Sequence, residues 1–322
     1  MKTSIMDKLK ELSFKDIMLR YGIYVGFVAI LITFSQLNMN FFTAKNFINV
    51  LEQYSYYIVC AVGMSFVILV GGVNLAAGSM IACGGVISAM VMINTKNVAL
   101  GCTIAIALPV VVSLICGLMI VKLRLPSFIV TLALQNILKG IAYSVTSNST
   151  ITGLPKAFTK FSFKETLGIS NLIFVVLIVV LVASYVLRFT KYGRQLYAVG
   201  GSRKAAKIMG INVELIEVSA YVIAGFLTGI STLLLTSYMA SANPSVADNV
   251  ALESIAACVI GGYSVSGGEG KLVGALIGAL IFGLVKNGLN LVGLDSFYQL
   301  VATGSIIFVA AAVDAAKNRV RN

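Results

Sequence analysis

The feature that most constrains this chain is a series of long apolar runs that fill nearly all of its length. A helix needs about 20 apolar residues to cross bilayer hydrocarbon that is roughly 30 Å thick. Ten stretches approach or reach that length, approximately at residues 21–38, 47–70, 77–93, 98–121, 126–146, 171–187, 214–237, 251–266, 272–286 and 297–314. Since 58% of the residues are hydrophobic and only 11% are charged, a soluble domain of average composition is excluded. The sequence therefore predicts an all-α polytopic membrane protein with about ten transmembrane helices.

The distribution of basic residues predicts how these helices are oriented. Most Lys and Arg residues lie at 1–20, 122–124, 188–213, 271 and 317–321. An even number of predicted spans separates each of these segments from the next, so all of them lie on the same side of the membrane. Cytoplasmic loops carry such an excess of positive charge. We therefore expect a cytoplasmic tail at 1–20, a transmembrane permease domain at 21–314 and a cytoplasmic tail at 315–322. The net charge of +12 reflects this topology, and nucleic acid is not an expected partner. Segments 147–170 and 238–250, on the opposite side, are either solvated connectors or contacts for an external partner.

Residues 188–213 form the one long basic island in the chain, and the second half of this island has the pattern of a short helix. Ser202 is placed to cap the first turn and Gly210 to end the helix. Ala205, Ile208 and Met209 recur at i, i+3 and i+4 and would form a small apolar face. So short a helix is unstable alone in water, and packing must hold it. Two interpretations stay open: a loop whose charges only set topology, or a helix that docks on another protein.

Two glycine-rich interruptions stand at comparable places in the two halves of the chain. The first glycine break is GGVNLAAGS at 71–79, and the second glycine break runs from Gly261 to Lys271. Paired interruptions of this kind point to the solute path of a transporter, whereas close helix packing also uses glycine. The candidate path or gate residues are Gly71, Gly72, Asn74, Gly78, Gln135, Asn136, Gly261, Gly262, Gly267 and Gly268.

Several chemistries have no support in the sequence. The chain has no His, and its five Cys residues lie inside apolar stretches without a CxxC pair, so neither a metal site nor a disulfide framework is expected. Gly270-Lys271 lacks the upstream glycine of a phosphate loop. We therefore expect no catalytic residues, no metal and no bound cofactor, and the energy for any transport must come from elsewhere.

Four motifs in the chain are distinctive: GGVNLAAGS at 71–79, YGRQLYAVGGSRKAAKIMGINV at 192–213, ALESIAACVIGGYSVSGGEG at 251–270 and GALIGALIFGLVKNGLNLVG at 274–293. In these motifs the chain resembles the permease subunit of ribose-type ABC sugar importers, which belong to the branched-chain amino acid/ribose permease superfamily. The resemblance implies a fold similar to the ten-helix permease of the vitamin B12 importer class, with broken or re-entrant glycine-rich segments. Relatives often carry Asp followed by Leu-Ser where this chain has Asn74-Leu75-Ala76, so a role that needs a charge or hydroxyl there is in doubt.

The resemblance also implies a set of partners. These are an ABC ATPase that binds ATP and Mg, an extracytoplasmic solute-binding protein, a second permease copy or homologue, and the lipid of a bacterial inner membrane. Combined with the helix pattern, it makes 188–213 the segment that couples to the ATPase. The expected coupling residues are Gly200, Gly201, Ser202, Ala205, Ala206, Ile208, Met209, Gly210 and Ile211.

We expect the cargo to be a small neutral solute, with a monosaccharide such as ribose, xylose or galactose as the first choice. The alternative is an ion-coupled secondary carrier for a small polar solute, although the apolar runs lack the chain of Asp, Glu or His that proton coupling requires. A channel or scaffold is a third class, and the sequence has no repeated pore-lining charge to favour it.

Overall fold

A computed structural model describes residues 27–28, 31–166, 168–295 and 297–308 of the chain. Both predicted tails, 1–20 and 315–322, lie outside the described residues, as do parts of the first and last predicted spans. Residues 31–37 are helical. The helices that follow are α1 Ala44–Gln53, α2 Ser55–Leu69, α3 Ala77–Thr95, α4 Val98–Lys122, α5 Ser127–Thr146, α6 Lys156–Phe163, α7 Asn171–Phe189, α8 Lys191–Gly201, α9 Arg203–Ile208, α10 Val213–Met239, α11 Val250–Ile260, α12 Leu272–Leu291 and α13 Phe297–Phe308. A short antiparallel hairpin with strands of two residues each, β1 Glu165–Thr166 and β2 Ile169–Ser170, lies between α6 and α7.

Six helices in the described part of the chain are long and apolar enough to cross a membrane: α3, α4, α5, α7, α10 and α12. Each agrees with a predicted span to within a few residues, except at the end of α12, which continues to Leu291. The prediction of an all-α protein with several membrane-spanning helices is therefore confirmed.

Two predicted spans need correction. The run at 47–70 is not one regular helix, because the helix is interrupted at Tyr54 (φ −101°, ψ 11°) between α1 and α2. The run predicted at 251–266 is helical only to Ile260, since glycines with positive φ begin at Gly262 (φ 87°). The 15 residues of α2 and the 11 residues of α11 rise about 22 and 16 Å, less than the roughly 30 Å of hydrocarbon. The hydrophobicity of the sequence does not show that these two helices end before the apolar runs do.

Helix α10 forms the centre of the fold and packs against α2, α3 and α4. Its small residues bring the neighbouring helix close: a Cβ at Gly225 would lie 2.6 Å from the Pro109 carbonyl oxygen, and one at Gly229 would lie 2.7 Å from Cα of Ile106. In a membrane the hydrophobic effect does not drive helices together, so close van der Waals packing between small residues takes its place.

Helices α11 and α12 pair in the same way and are also joined by charge. A Cβ at Gly274 would overlap the Gly261 carbonyl oxygen, and one at Gly278 would overlap that of Ala257. The Lys286 ammonium contacts both carboxylate oxygens of Glu253, at 2.7 and 2.8 Å, and the Glu253 side chain is only 4% exposed. The charges of α11 and α12 thus neutralise each other inside the fold.

Segments 147–170 and 238–250 are not independent connectors, because they pack on each other. Ile151 and Ala242 form an antiparallel bridge with N···O distances of 2.8 and 2.9 Å. The Asn243 amide donates to the Thr150 hydroxyl at 3.0 Å, and Ser162 donates to Ser237 at 2.7 Å. Together they form one folded cap that packs on α10 and on the second half of α3.

The ion pair between α11 and α12 gives a stability prediction. Replacing Glu253→Leu leaves the Lys286 ammonium without its partner in a largely buried site, and we expect a loss of about 3 kcal/mol in the free energy of unfolding. The double variant Glu253→Leu/Lys286→Met removes both charges and should recover most of that loss. Thermal unfolding of the purified permease in detergent measures both. A single variant as stable as the unmodified chain would contradict this assignment.

Candidate coupling site at a glycine junction

Residues 188–213, named here the coupling segment, fold into two short helices rather than one. Helix α8 begins at Lys191, where the Thr190 hydroxyl accepts a hydrogen bond from the Gly193 amide at 3.1 Å. Its buried face consists of Gly193, Leu196 and Val199. We did not predict α8 from the sequence, although Thr190 followed by apolar or small residues at every third position was the signal for it.

Helix α9 has the boundaries that the sequence predicted. The Ser202 hydroxyl caps it by accepting from the Ala205 amide at 3.3 Å. Gly210 ends it in the left-handed region with φ 77°. The Gly210 amide donates to the Lys207 carbonyl and the Ile211 amide to the Ala206 carbonyl, both at 3.0 Å, which is the Schellman arrangement of a helix C-terminus.

Tertiary contacts hold α9 in place, as so short a helix requires. The Ala206 side chain is completely buried in the core cluster that also contains Leu196 and Val199. Arg203, in the first turn, forms an ion pair of 2.6 Å with Glu217 of α10, whose side chain is 8% exposed. The carboxylate offsets the unfavourable interaction of a cation with the positive end of the helix dipole. Glu217 was missing from the residues that the sequence singled out.

The other face of α9 is open. Ile208 is 87% exposed and Met209 is 65% exposed. Four other expected coupling residues are also exposed: Gly201, Ser202, Ala205 and Gly210. Of the rest, Ala206 is buried, and Gly200 and Ile211 are half-buried. An apolar pair exposed beside Lys204 and Lys207 is therefore available to a partner outside this chain.

Behind this open face, the coupling segment contacts the second glycine break and the end of α2, which leads into the first glycine break. The Gly268 amide of the second break donates to the Leu69 carbonyl, at the end of α2, at 2.9 Å. A Cβ at Gly267 would lie 2.7 Å from the Gly71 nitrogen, and one at Gly268 would lie 2.6 Å from the Gly201 nitrogen. Both Gly267 and Gly268 have positive φ, 90° and 74°, so glycine suits their conformation as well as their close approach.

We name this meeting point the glycine junction, and it consists of Gly71, Gly200, Gly201, Gly267 and Gly268 around the Leu69 carbonyl. Gly200 is the position with the least space, because a Cβ there would overlap the Leu69 oxygen. Gly201, its neighbour, has no atom within 4 Å of a built Cβ. The end of α8 therefore contacts the end of α2 and the second break through backbone atoms.

Two tyrosines of α8 strengthen this connection, and neither was predicted from the sequence. The Tyr197 hydroxyl donates to the Gly270 carbonyl at 2.9 Å. Burial raises the pKa of the Tyr197 phenol, which keeps it protonated and able to donate. The Tyr192 and Ser219 hydroxyls are hydrogen bonded at 2.9 Å, tying the start of α8 to α10.

The other candidate path residues are distributed over the fold. Gly72 packs against Tyr221, Gly78 against the Ala247 carbonyl, and Gly261 against Gly274, while Gly262 has a positive φ of 87° and no atom within 4 Å of a built Cβ. These contacts give each of the first three glycines a packing role. Gln135 is half-buried and Asn136 is exposed on α5, at least two helical turns from Ser127, whose hydroxyl accepts from the Val73 amide at 3.4 Å.

Asn74 stabilises the turn before α3 through its side-chain carbonyl oxygen. The side chain is 1% exposed, and its Oδ1 accepts from the Ala76 amide at 3.1 Å. An Asp carboxylate would accept that hydrogen bond equally well, so this turn does not need a charge. Ala76 stands at the N-cap of α3 without a side-chain hydrogen bond, and a Ser at that position would supply one. The Nδ2 group of Asn74 has no acceptor among the described residues.

Residues 46–310 match the protein family described as branched-chain amino acid transport system / permease component. The chain belongs to this permease family. It is accordingly a transport subunit, not an enzyme, and a multi-pass membrane protein. In this permease, α8 and α9 lie in the matched region together with both glycine breaks.

Curated relatives cover nearly the whole permease. The ribose import permease protein RbsC of Escherichia coli (strain K12) is 35% identical over 90% of this chain and 92% of its own length. RbsC of Bacillus subtilis (strain 168) is 36% identical over 99% of this chain and 100% of its own. The galactose/methyl galactoside import permease protein MglC of Escherichia coli (strain K12) is 30% identical over 97% of this chain and 98% of its own. No solved structure gives a significant match.

The adjacent glycines of the junction offer a matched pair of variants. Gly200→Ala forces a Cβ against the Leu69 carbonyl, and overpacking of this kind costs about 1–3 kcal/mol. Gly201→Ala places its Cβ in open space within a helix and should leave the free energy of unfolding unchanged or slightly higher. Thermal unfolding of the two variants in detergent compares them directly. Equal melting temperatures would show that the junction is not closely packed.

Proposed function

We propose that this chain is the membrane permease subunit of an ATP-driven ABC importer for a small neutral solute, and that the solute is a monosaccharide of the ribose, arabinose or galactose type. Its curated relatives are named as permeases for these sugars, including the L-arabinose ABC transporter permease protein AraH of Azospirillum brasilense, 31% identical over 92% of this chain. In this assembly, an ABC ATPase binds ATP and Mg, and an external solute-binding protein delivers the sugar.

The observation that carries this proposal is the arrangement of the coupling segment. Helix α9 is anchored on one side by Ala206 and by the Arg203–Glu217 ion pair, and on the other side it exposes Ile208 and Met209. A rigid helix with an open apolar face is suited to lie in a groove of a partner protein, as amphipathic helices do. The partner is the ATPase, and the basic residues orient the helix in its cleft.

The glycine junction supplies the mechanical link of the proposed cycle. Closure of the ATPase on ATP displaces α8 and α9, and Gly200 and Gly201 transmit this displacement to Leu69–Gly71 and Gly267–Gly268 through backbone contact. Such contacts are close-packed, so a small shift moves both breaks rather than compressing the contact. The helices that flank the breaks, α2, α3, α11 and α12, then change the side to which the solute path opens.

The solute class is inferred from two ion pairs, one between α11 and α12 and one between α5 and segment 238–250. Lys286 is paired with Glu253, and Lys139 of α5 is paired with Asp248. Paired charges leave no net charge at these two sites to attract an ion, which suits a neutral, hydroxylated solute. We place both termini in the cytoplasm and the folded cap of 147–170 and 238–250 outside, where the solute-binding protein docks. A second permease copy completes the path.

Docking on the ATPase is tested by changing the open face of α9. Ala205→Glu and Ile208→Glu put a charge into the proposed contact and should abolish ATP-driven uptake and solute-stimulated ATPase activity, while the permease inserts and unfolds as before. Ile208→Leu is the conservative control and should transport normally. Ala206→Glu is a different case, because its side chain is buried and the permease itself should be destabilised. Normal uptake by both exposed-face variants would refute the docking assignment.

The energy source and the solute class are tested in reconstituted vesicles. The permease with its ATPase and binding protein should accumulate radiolabelled ribose, arabinose or galactose only when ATP is present, and a proton or sodium gradient should have no effect. Uptake that follows an ion gradient without ATP would instead identify an ion-coupled secondary carrier. Passive equilibration of the sugar would identify a channel.

A further inference from the structure

A polar stripe runs along the second half of α5 and leads to the external cap. Gln135, Lys139, Tyr143 and Thr146 recur at spacings of four, four and three residues, which places them on one face of the helix. Asn136 lies beside them, and none of the five is fully buried. Toward the start of α5, Leu132 and Phe128 continue the same face with apolar side chains that are 38% and 55% exposed.

The centre of this stripe is an ion pair that protein atoms only partly cover. The Lys139 ammonium lies 2.8 Å from the Asp248 carboxylate, with the side chains 33% and 40% exposed. The same ammonium lies 5.7 Å from the centre of the Tyr143 ring. The Glu253–Lys286 pair is much more buried, at 4% and 23%. Charged groups in a spanning helix face the bundle interior or a water-filled cavity rather than lipid.

The surroundings of the pair connect it to the first glycine break. Asp248 follows Ala247, whose carbonyl packs against Gly78 at the start of α3. Leu138, next to Lys139, belongs to the same buried cluster as Ala76 and Met80. The ion pair therefore lies where α5, the first glycine break and segment 238–250 meet.

We propose that the polar stripe of α5 lines the solute path and that the Lys139–Asp248 ion pair is a contact for the solute. The ammonium donates to one hydroxyl of the sugar and the carboxylate accepts from a neighbouring hydroxyl, while the pair keeps the path neutral. Leu132 and Phe128 form the apolar end of this path, on the part of α5 that precedes the ion pair. This inference rests on the proposed function, since it assigns a contact for the sugar in that same transporter.

The path itself is tested by thiol accessibility in the complete transporter, reconstituted with its ATPase in a background whose five native cysteines are replaced. Asn136→Cys lies beside the stripe, and Ile137→Cys, one residue further, points to another side of α5, where Ile137 is 56% exposed among apolar residues. A membrane-impermeant, positively charged methanethiosulfonate reagent should modify Asn136→Cys at least about tenfold faster, because only a hydrated thiol ionises readily. Equal rates, or faster modification of Ile137→Cys, would overturn the proposal.

The solute contact is tested by pairing protein variants with sugar variants. In ATP-driven uptake we compare D-ribose and D-galactose with analogues that each lack one ring hydroxyl, in the unmodified permease and in Lys139→Gln and Asp248→Asn. Loss of a charged hydrogen-bond partner should raise KM about tenfold, and each variant should discriminate less between a sugar and the analogue that lacks the contacted hydroxyl. An equal loss of uptake for each sugar and every one of its deoxy analogues would indicate a purely structural ion pair and overturn the contact.

A charge-reversed variant further separates a role of the ion pair in solute contact from a purely structural role. Lys139→Asp/Asp248→Lys should restore the thermal stability lost in the single variants without restoring their discrimination between the sugars, because donor and acceptor have exchanged places. Recovery of both the stability and the discrimination would mean that the pair only holds α5 to segment 238–250. If the unmodified transporter takes up none of these sugars with ATP, the proposed function fails, whereas the thiol reactivities still decide whether α5 faces water.

Discussion

The close approach of backbone to backbone at glycine is the interaction on which this structure depends. Lipid surrounds the helices, so burial of apolar surface does not favour one helix contact over another as it does in water. Where a Cβ is missing, carbonyl and amide groups of neighbouring segments come into direct contact, as at Gly274 on Gly261 and Gly200 on Leu69. Each of these positions fixes the relative placement of two segments. The two short helices α2 and α11 end at such contacts instead of crossing the whole bilayer.

At the glycine junction, the same close backbone contacts connect the coupling segment to the transmembrane helices. An amide hydrogen bond from Gly268 pairs the backbone carbonyl of Leu69, a buried residue at the end of α2. Gly71 of the first break and Gly267 of the second break are in contact beside this hydrogen bond, and the end of α8 lies against Leu69 and Gly268. In the proposed cycle, a displacement of α8 would reach the end of α2 and the second break through these backbone contacts, with no flexible side chain between them.

Charged side chains play a second, different part. Arg203–Glu217 anchors a helix outside the spanning part, and Glu253–Lys286 joins two helices inside it. Both involve a carboxylate that is almost completely buried, so removing the basic partner alone leaves a buried charge unpaired and costs more than removing both charges. Lys139–Asp248 differs from these in its exposure. That difference is the reason for assigning it to the solute rather than to the packing of the fold.

The sequence by itself determined the class of protein, most of the spans and the boundaries of α9. Those properties depend on local patterns: apolar length, a Ser before a helix and a Gly after it. The two open interpretations of the coupling segment and of the glycine breaks were not decided by such patterns. Tertiary structure decided that Ala206 is buried while Ile208 is exposed, that α2 and α11 are short, and that Gly200 meets Gly268. The partner of a glycine or of a charge such as Glu253 lies far away in the chain, and its identity depends on how the helices pack, which composition and spacing do not encode.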